Sequence, residues 1–531
     1  MNNQGIGSWI YRRSRMTPWK TALICADSKW TYNELNGRIN RLAHGLRSLG
    51  IQKGDRIAYL NENHSSYLET FFASGLLGAI FVPLNIKINP SDLGYILNQA
   101  GCKILIYGNK TKRTVEILKT HVEIPTYIAL NEDTSDDLAL NDLISNQSDS
   151  LIDEVISPEE TALISFTSGT TGQPKGVMLS HKNLSWNVFN LMSCTDFLSE
   201  DIILVNAPLH RMGALGVTVL PGIFKGATLI ISAETEITKI LDVIKNQNVS
   251  VLFNGPGFFQ LLDIYSAENK INFSSVRFCI VGGDVVPRAL VRRWLDRGIQ
   301  FQQGYGLTEA APVALLLDKD EMLAKNGSAG RPMFFTDFRV VSPDFKDVGP
   351  GESGEIILRG PNVTKGYWNN PGLTAERLTH DHWLRSGDAA RIDTDDHAYV
   401  LGRIADGITL DGRIVYPSEI EEIIAEQPGL SECAVVGIPG KTNDQIVLFI
   451  VPENHKNRSE SDLLQVWSRK LPGIPIPHAI KFVEVLPKNT NGKIMRQRLR
   501  ELFYNSGNTK HNGQIPSAQN FSSLVNTSKF R

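Results

Sequence analysis

Residues 165–176 read Ser-Phe-Thr-Ser-Gly-Thr-Thr-Gly-Gln-Pro-Lys-Gly. Glycine lets a backbone approach a ligand closely, and successive N–H groups and hydroxyls donate to phosphate oxygens. Thr167, Ser168, Thr170 and Thr171 supply hydroxyls beside Gly169 and Gly172, and Lys175 adds a point charge. The pattern points to a loop that cradles nucleotide phosphates. Gly176 and Val177 follow the lysine, so the Walker arrangement, in which Gly-Lys-Ser/Thr opens a helix, is absent. A flexible surface linker is the bland alternative, but linkers seldom run from Pro-Lys-Gly straight into Val-Met-Leu.

Three further stretches carry chemistry. In Gln303-Gly304-Tyr305-Gly306-Leu307-Thr308-Glu309 the glycines free the backbone, Tyr305 offers a flat face for a base, and Glu309 offers a hard oxygen for magnesium. In Ser386-Gly387-Asp388 a fixed aspartate suits ribose hydroxyls. In Pro487-Lys488-Asn489-Thr490-Asn491-Gly492-Lys493 the last lysine suits an oxyanion in a transition state. Taken singly, each is also compatible with a solvated surface turn.

The elements that position these groups are legible around them. The apolar run Thr161–Phe166 reads as a buried strand that roots the phosphate loop. Thr31-Tyr-Asn-Glu34 is a capping box, followed at helical spacing by Leu35, Ile39, Leu42, Leu46 and Leu49. Gly50 ends that helix and Arg56–Leu60 reads as a strand. Helix and strand alternate again over 64–84, 91–107 and 236–253, which predicts an α/β fold of parallel sheets covered by helices. Phe278–Val281 is apolar, and Pro287–Arg297 reads as a helix leading to the Tyr305 segment. Near residue 402 the character changes: Gly402-Arg403-Ile404-Ala405-Asp406-Gly407 is small and polar, as a hinge would be. Beyond it, a helix from Pro417, strands over 432–437 and 445–451, and a helix over 460–470 make a small α+β domain. After Tyr504 the chain is rich in Asn, Ser, Gly, Thr and Gln, so 506–531 is expected to be a disordered tail.

Composition narrows the classes. The 531 residues exceed one core, and 42% hydrophobic with 21% charged residues is ordinary for a globular protein. A net charge of -2 gives no basic field for nucleic acid or an anionic membrane. The five cysteines form no CxxC pair, which fits buried thiols in a reducing compartment and no zinc site. The N-terminus lacks a signal-peptide apolar region, and the longest apolar run, Phe71–Leu84, falls short of a membrane span of ~20 residues. A cytoplasmic location is expected.

The order Thr167–Gly176, Tyr305–Glu309, Gly354–Trp368, Ser386–Asp388, Gly402–Asp406, Pro487–Lys493 resembles the adenylate-forming superfamily over about residues 10–500. Members include acyl-CoA synthetases, peptide-synthetase adenylation domains and beetle luciferases; the likeness is strongest to the fatty-acyl and aryl-CoA ligase branch. The resemblance implies a large N-terminal domain of several subdomains (1–402), a hinge (403–406) and a small mobile C-terminal domain (407–505). It implies that Thr167–Lys175 wraps the β- and γ-phosphates of ATP and that Gly282, Gly283, Asp284 and Tyr305, with Gly306, flank adenine. By the same likeness Thr308 contacts the α-phosphate, Glu309 holds Mg²⁺, Asp388 and Arg403 bind ribose, Asp406 is the hinge, and Lys493 bridges the acid and the α-phosphate. The implied reaction is ATP-dependent formation of an acyl-adenylate, then of a thioester with coenzyme A. A carrier-protein thiol is the alternative acceptor.

Several positions depart from the family pattern. Pro208-Leu209-His210-Arg211-Met212-Gly213 puts Arg211 where the family's histidine usually stands and His210 where an aromatic residue does. Ala405 replaces the usual hinge lysine, and Asp411-Gly412 replaces a Gly-Gly pair. The acyl pocket is expected along 205–216, 251–259 and 304–313. His210, Arg211, Met212, Gly213, Gly255 and Phe258 are its candidate contacts; Gly213, Gly216, Gly255 and Gly257 are expected to leave room, and Phe253 and Phe258 to supply apolar wall. A medium- or long-chain fatty acid is the expected substrate. His380-Asp381-His382 is read as a surface turn rather than a metal site.

Overall fold

A computed structural model describes residues 1–26, 28–130, 137–168, 173–269, 271–453, 459–488 and 493–507. The chain divides into two compact units: residues 1–386 with 392–399, and 387–391 with 400–531. The segment Gly387–Arg391, which carries Asp388, counts with the second unit.

The first unit is built on two large sheets. In one, Leu138–Ala139, Thr126–Ala129, Cys102–Tyr107, Arg56–Leu60, Ile80–Pro83, Thr161–Ser168 and Pro174–Ser180 lie side by side in that order. These strands run parallel until the last, which turns back antiparallel to Thr161–Ser168. The helices Tyr32–Ser48, Ser65–Leu77 and Pro90–Ala100 precede its strands. Thr31 caps the first of them, with Glu34 returning the bond to the Thr31 backbone. The second sheet has a parallel centre of Gln300–Gly306, Phe278–Gly282, Val251–Asn254, Ile202–Val205, Thr228–Ile231 and Thr21–Cys25. Antiparallel strands Val313–Leu316 and Ser28–Thr31 flank it. One apolar core joins side chains of both sheets, such as Tyr59 and Phe81 of the first and Ile203 and Phe278 of the second, with Leu184 and Leu191 of the helix His181–Cys194.

In the second unit Leu430–Ile438 pairs antiparallel with Gln445–Pro452, which pairs parallel with Ala479–Phe482. Alternation along the first strand sends Cys433 and Val435 into one core and Ala434 and Val436 into another. The helices Pro417–Ala425 and Glu460–Lys470 cover the first, and Leu499 of the helix Arg496–Gly507 packs into the second. Asp411-Gly412 is the two-residue turn of the hairpin Ile408–Leu410 with Arg413–Val415. Both residues have positive φ, +48° and +80°, the geometry of a type I′ turn, for which Asp-Gly is a favoured pair. The turn is held by Asn443, whose Oδ1 accepts from the Asp411 N–H at 3.0 Å. The expected tail lies almost wholly outside the described residues. Among the described residues no helix is long and apolar enough to cross a membrane, and Cys25, Cys102, Cys279 and Cys433 are buried free thiols.

Candidate active site

The phosphate-loop segment is a β-hairpin. Its register pairs Phe166 with Gly176, Thr167 with Lys175 and Ser168 with Pro174. Directly opposed residues share one face of an antiparallel pair, so the Thr167 hydroxyl and the Lys175 ammonium leave the hairpin on the same side. Gly169, Thr170, Thr171 and Gly172 lie outside the described residues. Ser180 then caps the helix His181–Cys194 through a reciprocal bond with Asn183.

Glu309 sits in a short 3-10 turn, Thr308–Ala310, just after the strand Gln300–Gly306. The chain reverses so tightly there that a Cβ on Gly306 would lie 1.9 Å from the Pro312 carbonyl oxygen, so only glycine fits. The Leu307 N–H donates to that same oxygen at 3.0 Å. Tyr305 and Gly283 belong to neighbouring strand ends, since Gly282 pairs with Gly304. Buried Gln303 pins them: it accepts from the Val286 N–H and donates to the Ser328 carbonyl, each at 3.1 Å. Asp284 is exposed.

Residues 361–368 tie these two pieces together. The Trp368 N–H donates to Gly176 O at 2.7 Å and the Met178 N–H to Gly366 O at 3.0 Å. On the other side the Thr364 N–H donates to Glu309 O at 2.7 Å, and Asn362 Nδ2 donates to Ala310 O at 2.9 Å. Tyr367, 6% exposed, donates its hydroxyl to Glu309 Oε1 at 2.8 Å. Burial and then the neighbouring Glu309 charge push this phenol's pKa up, so it stays a donor. Behind this strap lies a polar stripe on the helix His181–Cys194. Asn183 donates to Pro361 O and Val363 O, Asn187 donates to Gly216 O and accepts from the Val313 N–H, and Asn190 accepts from the Phe335 N–H. Sequence reading gave these asparagines and Tyr367 no role. The signal available was the spacing of 183, 187 and 190, which places three amides on one face of a helix.

The pocket-side residues are less open than expected. A Cβ on Gly213 would meet the Phe253 ring at 2.9 Å, and one on Gly216 would meet Pro312 Cδ at 2.4 Å. These glycines permit close packing and do not leave room, which corrects the expectation for both. Gly255 and Gly257 are open, the former with only Gly282 O at 3.7 Å and the latter with nothing within 4 Å. Met212 is buried in the main core, and Phe258 packs edge-on to Phe259. His210 and Arg211 lie in a turn rooted by Asn63, which accepts from the Leu209 N–H at 2.8 Å. Burial, then the charges of Arg211 and Lys87, pull the His210 pKa down to about 3, so the imidazole is neutral at physiological pH. Its Nε2 is buried without a hydrogen-bond partner among the described residues. His380, Asp381 and His382 form a turn, and no cluster of metal-ligating side chains occurs among the described residues.

In the second unit Arg403 Nε lies 3.1 Å from Asp388 Oδ1, so the two residues expected at the ribose are an ion pair. Asp406 is held by Arg500 at 3.0 Å and approached by Arg496 at 3.8 Å; Arg496 also pairs with Glu421 at 2.7 Å. Lys493 is exposed, beside the bridge between Lys488 and Ile494.

Glu309 suits a hard divalent cation. Its Oε1 is taken by Tyr367, while Oε2 accepts no hydrogen bond among the described residues. Magnesium is commonly held by one or two carboxylates plus substrate phosphates, so a single glutamate is a sufficient protein contribution.

Residues 10–368 match the AMP-binding enzyme model, and residues 419–493 match the AMP-binding enzyme C-terminal domain. The chain is 40% identical to feruloyl-CoA synthases of Amycolatopsis and Streptomyces species, over 95% of its own length and 100% of theirs. It is 30% identical to a long-chain-fatty-acid–CoA ligase of Mycobacterium tuberculosis, covering 94% of this chain and 99% of that one. Among solved structures, the o-succinylbenzoate coenzyme A synthetase of Bacillus subtilis in complex with ATP and magnesium ion aligns with a TM-score of 0.80 at 26% identity, covering 93% and 99% of the two chains. The chain therefore belongs to the AMP-binding enzymes, as an acid–CoA ligase that works through an acyl-adenylate, with ATP and coenzyme A as co-substrates and magnesium as cofactor.

Proposed function

We propose that this ligase activates a compact aromatic acid of the hydroxycinnamate type in preference to a medium- or long-chain fatty acid. The observation that carries this is the 40% identity to feruloyl-CoA synthases across the whole chain, against 30% to the fatty-acid ligase. The close packing of Phe253 on Gly213 and Pro312 on Gly216 supports it, since a flat ring needs less free length than an alkyl chain. Neutral His210, whose buried Nε2 has no hydrogen-bond partner among the described residues, offers a polar contact to a ring substituent that an alkyl chain would leave unsatisfied. The fatty acid remains the second reading, on the mycobacterial relative. That the relatives are CoA ligases favours coenzyme A over a carrier-protein thiol.

The chemistry follows from charge. A carboxylate oxygen attacks the α-phosphorus of ATP, an O–P bond forms, and the bond to the β-phosphate breaks to release pyrophosphate. The thiol sulfur of coenzyme A then attacks the acyl carbon, loses its proton and expels AMP. Both reactants of the first step are anions, so cationic groups must meet the accumulating charge. We assign phosphate binding to Thr167, Ser168, Gly169, Thr170, Thr171, Gly172 and Lys175, adenine to Gly283, Asp284, Tyr305 and Gly306, and ribose to Asp388 and Arg403. Thr308 and Lys493 are assigned to the α-phosphate and Glu309 to the metal, which would offset phosphate charge when bound. Residues 403–406, with Asp406, are proposed as the hinge between domains 1–402 and 407–505. Competition between ferulate, cinnamate, benzoate, octanoate and palmitate, with MgATP and coenzyme A and thioesters read by mass spectrometry, tests the substrate class. Dominant hydroxycinnamoyl-CoA upholds the proposal; dominant palmitoyl-CoA replaces it with the fatty-acid reading.

A further inference from the structure

We infer that Tyr367 is a positioning residue for the metal site, holding the Glu309 carboxylate by one oxygen and leaving the other to face the cation; this rests on the assignment of Glu309 as metal ligand. The phenol donates to Oε1 at 2.8 Å and is nearly inaccessible to solvent. A carboxylate fixed by one neutral hydrogen bond keeps its full charge and loses its freedom to rotate, which is what a single-carboxylate site for a small, geometrically demanding cation needs.

The backbone around Tyr367 makes the placement stiff. Its N–H donates to Thr374 Oγ1 at 3.0 Å, and the residue itself bridges to Val177, two positions after Lys175. The neighbouring Thr364 reaches Glu309 and the residue after Val177, with its N–H on Glu309 O and its hydroxyl on Met178 O. One short segment thus registers the glutamate against the strand leaving the phosphate hairpin. A cation shared between Glu309 and the phosphates would depend on that registration.

The test is the gain in ATP affinity that Mn²⁺ confers, measured by calorimetry on the full chain with ATP in Mn²⁺ and in EDTA, without acid or coenzyme A. Tyr367→Phe removes one oxygen and keeps the ring, and a thermal melt controls for folding. The expected result is a roughly 10-fold loss of the Mn²⁺ gain with ATP affinity in EDTA unaltered. Thr374→Val frees the Tyr367 N–H but leaves the phenol in place, and should retain the gain. Glu309→Gln should abolish it. If Tyr367→Phe keeps the full gain while Glu309→Gln loses it, the inference falls and the metal assignment stands. If both keep it, both fall. Equal loss in Mn²⁺ and EDTA, or equal loss in Thr374→Val, would make Tyr367 a packing residue and overturn the inference.

Discussion

Glu309 and Asp406 are both half-buried carboxylates in three-residue 3-10 turns, Thr308–Ala310 and Ile404–Asp406. Their surroundings differ in charge. Among the described residues the Glu309 carboxylate takes one hydrogen bond, from a neutral phenol, whereas Asp406 is met by two guanidinium groups. A neutral donor fixes a carboxylate without spending its charge; two arginines spend it. The first arrangement suits a group that must still attract a cation, the second a group whose charge is already matched within its own unit. The same functional group thus sits in opposite electrostatic settings, decided by partners that come from distant parts of the chain.

The contrast is most exposed to charge removal. Glu309→Gln keeps the shape and loses the charge, and acid-dependent pyrophosphate exchange should fall by about 100-fold or more, the scale of losing one preorganised electrostatic group. Retained exchange would erase the distinction between the two carboxylates. Lys493→Ala should lower the same exchange by about 100-fold, while thioester formation from supplied acyl-adenylate and coenzyme A survives; loss of both half-reactions would contradict its role at the α-phosphate. Asp406→Asn should act on stability, by about 1 kcal/mol in urea unfolding, because the pairs it breaks are partly solvated. Its exchange should fall far less than that of Glu309→Gln.

A pH-dependent effect sharpens the contrast with a group that neither carboxylate involves. His181 is buried, its Nδ1 accepts from the Ile6 N–H at 3.2 Å, and burial lowers its pKa to about 4. The unfolded chain's histidine takes a proton near pH 6.5. Between the two values the unfolded state binds more protons, so stability present above pH 6.5 is lost as pH falls through about 4. The full shift amounts to about 3 kcal/mol, so His181→Asn should flatten the thermal midpoint against pH in that window. An unchanged pH slope would contradict the burial argument.

Much of the architecture was legible because it is locally encoded. The Thr31 capping box, the strand before the phosphate loop and the helix from Pro417 each rest on residues a few positions apart. The glycine- and hydroxyl-rich segments were legible for the same reason. Tyr367 was not, since its partner lies 58 positions away and its backbone pairs with Val177. Gly213 and Gly216 were misread for a related reason: a glycine's neighbours decide whether it opens a pocket or admits a ring, and Phe253 and Pro312 are distant in sequence. The Asp411-Gly412 departure is accommodated by its turn, whose positive φ at both residues suits an Asp-Gly pair.

The most direct measurement is exchange of labelled pyrophosphate into ATP, with magnesium and a hydroxycinnamate present and coenzyme A left out. Exchange that requires both the acid and the metal is the predicted result, because the acyl-adenylate forms reversibly before the thiol enters. No exchange until coenzyme A is added would contradict the account at its centre, since bond formation at the α-phosphorus would then not be a separate first step.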